Sequence, residues 1–487
     1  MSLLLSLCLA HAVAAPIDFT AAGEETASFL QEYLRTDTVN PPGNELRGAE
    51  LLADLMAREG IPWEIQESAP GRGNLVARLP GSGEEGALCL LSHIDVVDAE
   101  GERWPADRQP LSGVRDEEGV IWGRGALDMK SMGAIEAMTL VLLHRERVPL
   151  RRDVVLLAVA DEEIHNTGMR YMTEHHWDEL GCTHVVNEGG IGLADMFFDG
   201  QPVFPISTGE KGVLWLRMVA TGEPGHGSVP HGGQAPERLL RAVERVRARE
   251  GSPHWSPEIL ELLRQVGEDK GGLAGALLQR PALVKTVLRG KLMGNPLTRA
   301  ALTDTVNVTG FGGATSPNVV GAEAWAQLDC RLQPDTTAEA MLAELTALVD
   351  DPAVRFEVLH ELPAAVSPQD DPLYRALERH TEALFPGAVA GPVLSVGFTD
   401  TIFARELGAR GYGLEPFLVN EELLGGMHGD NERISVDNLT RGLEVLYRSV
   451  EEVSVAPGGA WIEPPLHVPS PGEGGVVELP LPDPTAP

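Results

Sequence analysis

The stretch Val154–Gly168 reads VVLLAVADEEIHNTG, an apolar run rich in β-branched residues that stops abruptly at Asp161, Glu162 and Glu163. This is how a buried parallel strand looks when it delivers acidic residues to its C-terminal edge. Three adjacent carboxylates repel one another and resist losing water. They persist where a cation neutralises them or where one is kept as a base. Taken alone, the stretch fits a solvated loop after a strand equally well, so its meaning depends on the rest of the chain.

Moving outward, the same pattern of strand, polar end and helix recurs. Ala87–Leu91 leads into SHIDVVD at Ser92–Asp98, GRGALD places Asp128 before a helical pattern from about Ser131, and Thr183–Val186 ends in Asn187 and Glu188. Helical spacing over Ala22–Glu59, broken at Pro41, Pro42 and Gly43, predicts two helices joined by a turn. Strands alternating with helices, with polar residues at strand ends, specify an α/β domain with a mainly parallel mixed sheet. After Gly209 the order becomes β-α-β-β-α-β up to Leu359, a ferredoxin-like α+β module inserted in the larger domain, with an extra helical segment at about 251–297. The α/β pattern resumes at Pro372, passes through Val396–Asp400 and the loop GMHGDNERI at Gly426–Ile434, and closes with a helix over Val436–Val453. The expected organisation is a leader at 1–15, a catalytic domain in two parts at 16–209 and 362–455, the inserted module at 210–361, and a tail rich in Pro, Gly and Glu at 456–487.

Composition narrows the function. The 487 residues are 43% hydrophobic and 23% charged, which is ordinary globular composition. Lys plus Arg number 38 against 72 Asp plus Glu, a net charge of −34 that repels phosphate backbones and anionic membranes, so nucleic acid and membrane are not expected partners. The opening MSLLLSLCLAHAVAAP has an apolar run followed by Ala12-Val13-Ala14, an A-x-A cleavage pattern that predicts export to the periplasm or medium. Beyond Cys8 in that leader, the cysteines are Cys89, Cys182 and Cys330. An odd number without a CxxC pair predicts core residues, neither a disulfide framework nor a thiolate metal site.

The chemistry lies in residues scattered along the chain. His93 and Asp95, one residue apart at a strand end, project to the same side, which suits a metal-binding imidazole and a carboxylate that fixes its tautomer. Alone, an HxD pair is more often a hydrogen-bonded core histidine. Joined to Asp128, Glu163, Glu188 and His428, His93 belongs to a set of two histidines and three carboxylates at strand-end or loop positions, which a parallel sheet gathers at one edge. Imidazole and carboxylate suit zinc, and one carboxylate can bridge two ions, so the set matches a two-metal hydrolytic site.

HIDVVD, GRGALDMKSM, ADEEIHNTG, NEGG and MHGDNERI, in this order over about Ala22–Val455, resemble the signature of a family of dinuclear zinc metallopeptidases and amidohydrolases. That family includes aminoacylase, acetylornithine deacetylase, succinyl-diaminopimelate desuccinylase, carboxypeptidase S and glutamate carboxypeptidase. The resemblance implies two Zn2+ per chain, with Co2+ or Mn2+ as substitutes. Asp128 bridges them, His93 and Glu188 complete one site, Glu163 and His428 the other, and Glu162 is the general base. It further implies that Asp95 orients His93, that His226 in GEPGHGSVPH stabilises the oxyanion, often across a homodimer formed by the lid module, and that Asn318 and Arg331 in TSPNVVGAEAWAQLDCRL hold a substrate carboxylate. The expected reaction is hydrolysis of the amide bond of a small peptide or N-acyl amino acid with a free carboxylate. A biosynthetic deacetylase and a catalytically inactive binding protein are the competing readings. The chain departs from the family pattern at Asp98, at Gly133, at IHN after the acidic triad and at GFTDT, none of which is a proposed ligand. The long helical insertion resembles the carboxypeptidase S and N-acyl amino acid hydrolase branch.

Overall fold

The computed structural model describes residues 16–195 and 198–465. The leader at 1–15 and positions 466–487 of the expected tail lie outside the described residues.

Helices α1 (Phe19–Arg35) and α2 (Glu45–Glu59) flank the Pro-Pro-Gly turn, and Asp18 caps α1 by accepting from the Thr20 and Ala21 amides. A hairpin of β1 (Trp63–Ala69) and β2 (Arg72–Leu79) follows. Then come β3 (Ala87–His93), α3 (Lys130–Arg145), β4 (Val154–Val159), α4 (Thr167–His175), β5 (Cys182–Leu193) and β6 (Val203–Glu210). The inserted module holds β7 (Gly212–Thr221) and α5 (Ala235–Arg247), then α6 (Pro257–Lys270), α7 (Gly272–Leu278), α8 (Arg289–Gly294) and α9 (Pro296–Leu302). It continues with β8 (Thr305–Gly312), β9 (Glu323–Leu332), α10 (Ala338–Val349) and β10 (Val354–Leu362). The chain returns through α11 (Pro372–Leu384), β11 (Val389–Ser395), β12 (Arg410–Val419) and α13 (Val436–Ser454), with α12 (Thr401–Glu406) between the two strands.

The large sheet runs β6-β12-β5-β3-β4-β2-β1, with β11 beside β6. Its centre, β12-β5-β3-β4, is parallel, and antiparallel β2 and β1 form one margin. Every residue of β3 and β4 is buried, as strands covered on both faces require. One face packs on α1, α3, α11 and α13, the other on α4 and α12. Helix α3 is buried from Lys130 to Leu143, its polar Lys130, Ser131, Glu136 and Thr139 included. This is the mainly parallel mixed sheet that the sequence predicts.

The module's sheet is antiparallel in the order β8-β9-β7-β10, with α5 and α10 over one face. Along β9 buried and half-exposed residues alternate, so one face forms a core and the other stays accessible. None of the described helices is long and apolar enough to cross a membrane. At the C-terminus, 456–465 carries no helix or strand, yet Trp461 packs against the core with its ring 5.6 Å from that of His144.

One expectation is overturned. Cys89 and Cys182 form a disulfide, with Cα atoms 5.7 Å apart, while Cys330 is a free buried residue of the module's core. The two half-cystines are 93 residues apart in sequence but sit on the neighbouring strands β3 and β5, whose register pairs Ala87 with Cys182 and Cys89 with Val185. Only strand order brings them together, and counting cysteines cannot supply that order.

Candidate metal centre and active site

Strands β3, β4 and β5 end side by side, so the residues that follow them meet at one edge of the sheet. His93 closes β3 and is buried. Its Nδ1 lies 2.9 Å from the Asp95 backbone carbonyl, which makes that nitrogen the donor and leaves the Nε2 lone pair facing the cleft. Nε2 is 3.1 Å from Asp128 Oδ1 and 3.8 Å from Glu188 Oε1. From the Gly-flanked loop, with φ of +54°, His428 brings its own Nε2 to 2.9 Å from Asp128 Oδ2 and 3.2 Å from Glu163 Oε2. The two oxygens of Asp128 therefore face two different sets of donors, His93 with Glu188 and His428 with Glu163. All five residues that the sequence singles out as ligands come together.

Electrostatics show why such a cluster calls for cations. Burial, reinforced by the charge of Asp128, pushes the Glu188 carboxyl well above its ordinary range, and burial with the charge of Glu188 does the same to Glu162. His428 is pushed up to about 10 by its hydrogen bonds to Asp128 and Glu163. One Glu163 oxygen, Oε1, is buried with no hydrogen-bond partner. Carboxylates this close, with lone pairs aimed at a common space and no thiolate among them, fit two divalent ions of the kind that imidazole and carboxylate bind. Ligand-capable atoms of His93, Glu162 and Glu188, and of His93, Asp128 and Glu163, each lie within 4.8 Å of one another.

Glu162 and Glu163 do not diverge as successive residues of a strand would. Strand β4 stops at Val159, Asp161 takes φ of +64°, and the His165 and Asn166 amides donate to its carbonyl, so the two glutamates project from a turn into the same cleft. The turn is held by residues whose function is not legible from sequence. The Asp161 carboxylate accepts from Asn40 Nδ2 at 2.7 Å, Thr167 Oγ1 at 2.6 Å and Arg72 at 3.2 Å.

Asp95 acts differently from expectation. Its carboxylate stands 3.6 Å from His93 Nδ1, farther than its own carbonyl, and accepts from the Glu162 amide at 3.0 Å, the Glu163 amide at 3.2 Å and Asn40 Nδ2 at 2.8 Å. Asp95 thus fixes the histidine through its backbone and the glutamate turn through its side chain. Glu432, within GMHGDNERI, does the same for Asp128: it accepts from the Gly125, Leu127 and Asp128 amides at 3.0, 2.6 and 3.0 Å and pairs with buried Arg124 at 2.7 Å. The loops bearing Asp128 and His428 are thereby locked together. Asp400, in GFTDT, is buried beside the glutamate turn. Burial, opposed by a hydrogen bond from Asn166, pushes its pKa up to about 7.

The module's candidates are placed otherwise. His226 is exposed on a short ribbon paired with Val319, and Ser228 donates to its Nδ1 from both hydroxyl and amide. Asn318 is exposed beside it, its carbonyl accepting from the Gly227 amide. These contacts lie within the module. Arg331 does face the catalytic domain, its guanidinium 5.1 Å from the ring centroid of Phe398, two residues before Asp400 in the chain. Asp329 already grips it at 2.8 and 3.1 Å, leaving Nη1 buried without a partner.

Residues 89–452 match the model of peptidase family M20/M25/M40, three quarters of the chain. The chain belongs to that family. It is accordingly a hydrolase of amide bonds. Among its relatives, the N-fatty-acyl-amino acid synthase/hydrolase of Homo sapiens is 29% identical over 374 residues, covering 74% of this chain and 73% of the relative. Aminoacylase-1 of Homo sapiens is 25% identical over 443 residues, 89% and 96% of the two chains. The fold is shared with an M20 metallo-carboxypeptidase of Sulfolobus solfataricus, at a TM-score of 0.65 and 19% identity, covering 88% of this chain and 98% of that one.

Proposed function

We propose that the chain is an exported, zinc-dependent hydrolase of N-acyl amino acids or small peptides that carry a free carboxylate next to the scissile amide. The observation that carries this reading is the division of the two Asp128 oxygens between two histidine-glutamate pairs. Asp128 would be shared by two metals, His93 and Glu188 completing one site and Glu163 and His428 the other. When bound, the ions polarise the amide carbonyl and acidify a water.

Glu162 sits in the cleft with its proton affinity raised, so it takes a proton from the attacking water and returns it to the leaving amine. Asp95, Asp161 and Glu432 keep the reacting groups from relaxing apart, which spares reorganisation during turnover. The unpartnered Nη1 of Arg331, whose guanidinium lies over Phe398 of the catalytic domain, offers the substrate carboxylate a charged donor. A disulfide between β3 and β5 supports export, because such bonds persist in oxidising compartments. Relatives named as N-fatty-acyl-amino acid synthase/hydrolase and aminoacylase favour N-acyl amino acids over longer peptides.

The variant Glu162→Gln tests the mechanism. Metal content should match the parent while kcat falls by about a thousandfold or more. Near-parental kcat refutes the base assignment.

A further inference from the structure

We infer that the outer face of the helical insertion docks on the surface of an anionic lipid bilayer, an inference independent of the hydrolase reading above. The net charge of −34 argues against such a surface only if the charge is evenly spread, and it is not. From Lys270 to Thr303 the sequence holds Lys270, Arg280, Lys285, Arg289, Lys291 and Arg299 and no Asp or Glu. Exposed charges are screened beyond a Debye length of about 8 Å at physiological salt, so a membrane touching this face meets the local cations more strongly than the distant acids.

These cations are uncommitted. Lys270 lies over the Phe198 ring, 4.6 Å from its centroid. The other five are exposed, and among the described residues none of their side chains enters an ion pair or hydrogen bond. Neighbouring arginines are paired: Arg264 of α6 with Glu261 and Glu268, and Arg249 with Glu344. Two acids, Glu250 and Asp304, share the cleft that Arg289 and Arg299 line, and Asp304 already accepts from the Gln333 amide and the Thr336 hydroxyl. Beside Lys291 stand Asp195, Glu421 and Glu422, of which Asp195 accepts from the Gly200 amide and Glu422 pairs with Arg433.

The apolar residues complete the pattern. The chain is helical from Pro281 to Gly294, with a π-helical stretch at Val284–Leu288. Along this run Val284, Leu288 and Leu292, spaced by four, belong to the small core that α6 and α7 build. Leu283 and Val287, also spaced by four, are 37% and 60% exposed, and Leu273 in the first turn of α7 is 94% exposed. A helix apolar on two sides belongs in a core or against lipid. Lys285, Arg289 and Lys291 flank the outward row, the composition of a helix that lies in the headgroup plane with its basic stems along the apolar boundary. A bilayer presents anionic headgroups and acyl chains together, which accounts for the free cations and the bare apolar side chains at once. None of the described helices is long and apolar enough to cross it, so the contact is peripheral.

The test is flotation of the purified full chain with vesicles of phosphatidylcholine alone and with vesicles containing about one quarter phosphatidylglycerol. The chain should float with the anionic vesicles at least tenfold more than with the neutral ones, and about 0.5 M salt should release it. Lys285→Gln, Arg289→Gln and Lys291→Gln should each weaken partition about fivefold, and together on the order of a hundredfold. Val287→Asp should weaken it at least tenfold. The triple variant should melt at the parental temperature, since the three side chains it replaces have no partner in the fold, and release by salt reads the same contact in the parent. A parent that stays in solution with both vesicles, or a triple variant that floats as well as the parent, overturns the inference. Self-association of the parent in lipid-free sedimentation, lost in the triple variant while vesicles capture nothing, assigns the face to a second copy and overturns it as well.

Discussion

The carboxylates at the front of the central sheet are half-buried and those just behind it fully buried, and the fold treats them in opposite ways. Behind, Asp95 accepts from two amides and an asparagine, Asp161 from an asparagine, a threonine and an arginine, and Glu432 from three amides and an arginine. In front, Asp128, Glu163 and Glu188 face one another and two histidines, with lone pairs left over. A fold that satisfies these three acids could have satisfied the front row with arginines. It leaves a concentration of carboxylates instead, which bound cations would offset. The module presents a third condition: His226 and Asn318 are exposed and make their contacts within it.

Breaking the rear row should give the largest effect. Glu432→Ala strands buried Arg124 and three amides, and should cost about 3–5 kcal/mol of unfolding free energy in denaturant titrations, together with loss of bound metal. A loss under about 1 kcal/mol would show that Asp128 and His428 are positioned without it. Next comes the module. His226→Ala should lower kcat on the order of a hundredfold while metal content stays at the parental level. Unchanged kcat would mean that this exposed imidazole never reaches the reaction. Arg331→Ala should raise KM for acidic substrates about tenfold and leave carboxylate-blocked amides nearly unaffected; an equal loss on both classes would assign Arg331 to packing against Phe398 and Asp329.

The smallest effect concerns a satisfied carboxylate remote from the metal centre. Against the cost of burial, hydrogen bonds from His184, Arg410 and the Leu373 amide hold Asp371 at about 2, below its ordinary value near 3.8. Because the folded-state pKa is depressed, the stabilisation is present above about pH 4 and is lost as pH falls toward 2. Asp371→Asn should therefore flatten the fall of melting temperature in that window, and an unaltered acid limb would argue against the assignment.

The five metal-ligand candidates are legible in sequence because each follows an apolar run or lies in a glycine-flanked loop, where a parallel sheet exposes its C-terminal edge. The rear row is not, since the value of Asp161 lies in Asn40 and Arg72, and that of Glu432 in amides some 300 residues earlier. Strands β11 and β12 read as VAGPVLS and RGYGLEPFLV, whose glycines and prolines hide the strand pattern. Pro392 is tolerated because β11 is a margin strand, paired among the described residues only with β6. Strand order, absent from any local pattern, is what creates the Cys89–Cys182 disulfide.

Elemental analysis of the purified chain and three ligand variants tests the shared-carboxylate centre most directly. The parent should carry two zinc ions per chain, Glu163→Ala and Glu188→Ala one each, and Asp128→Ala none, with amide hydrolysis abolished on chelation. A parent that holds no stoichiometric metal and hydrolyses substrate regardless of chelator, or an Asp128→Ala variant that keeps both ions, contradicts it.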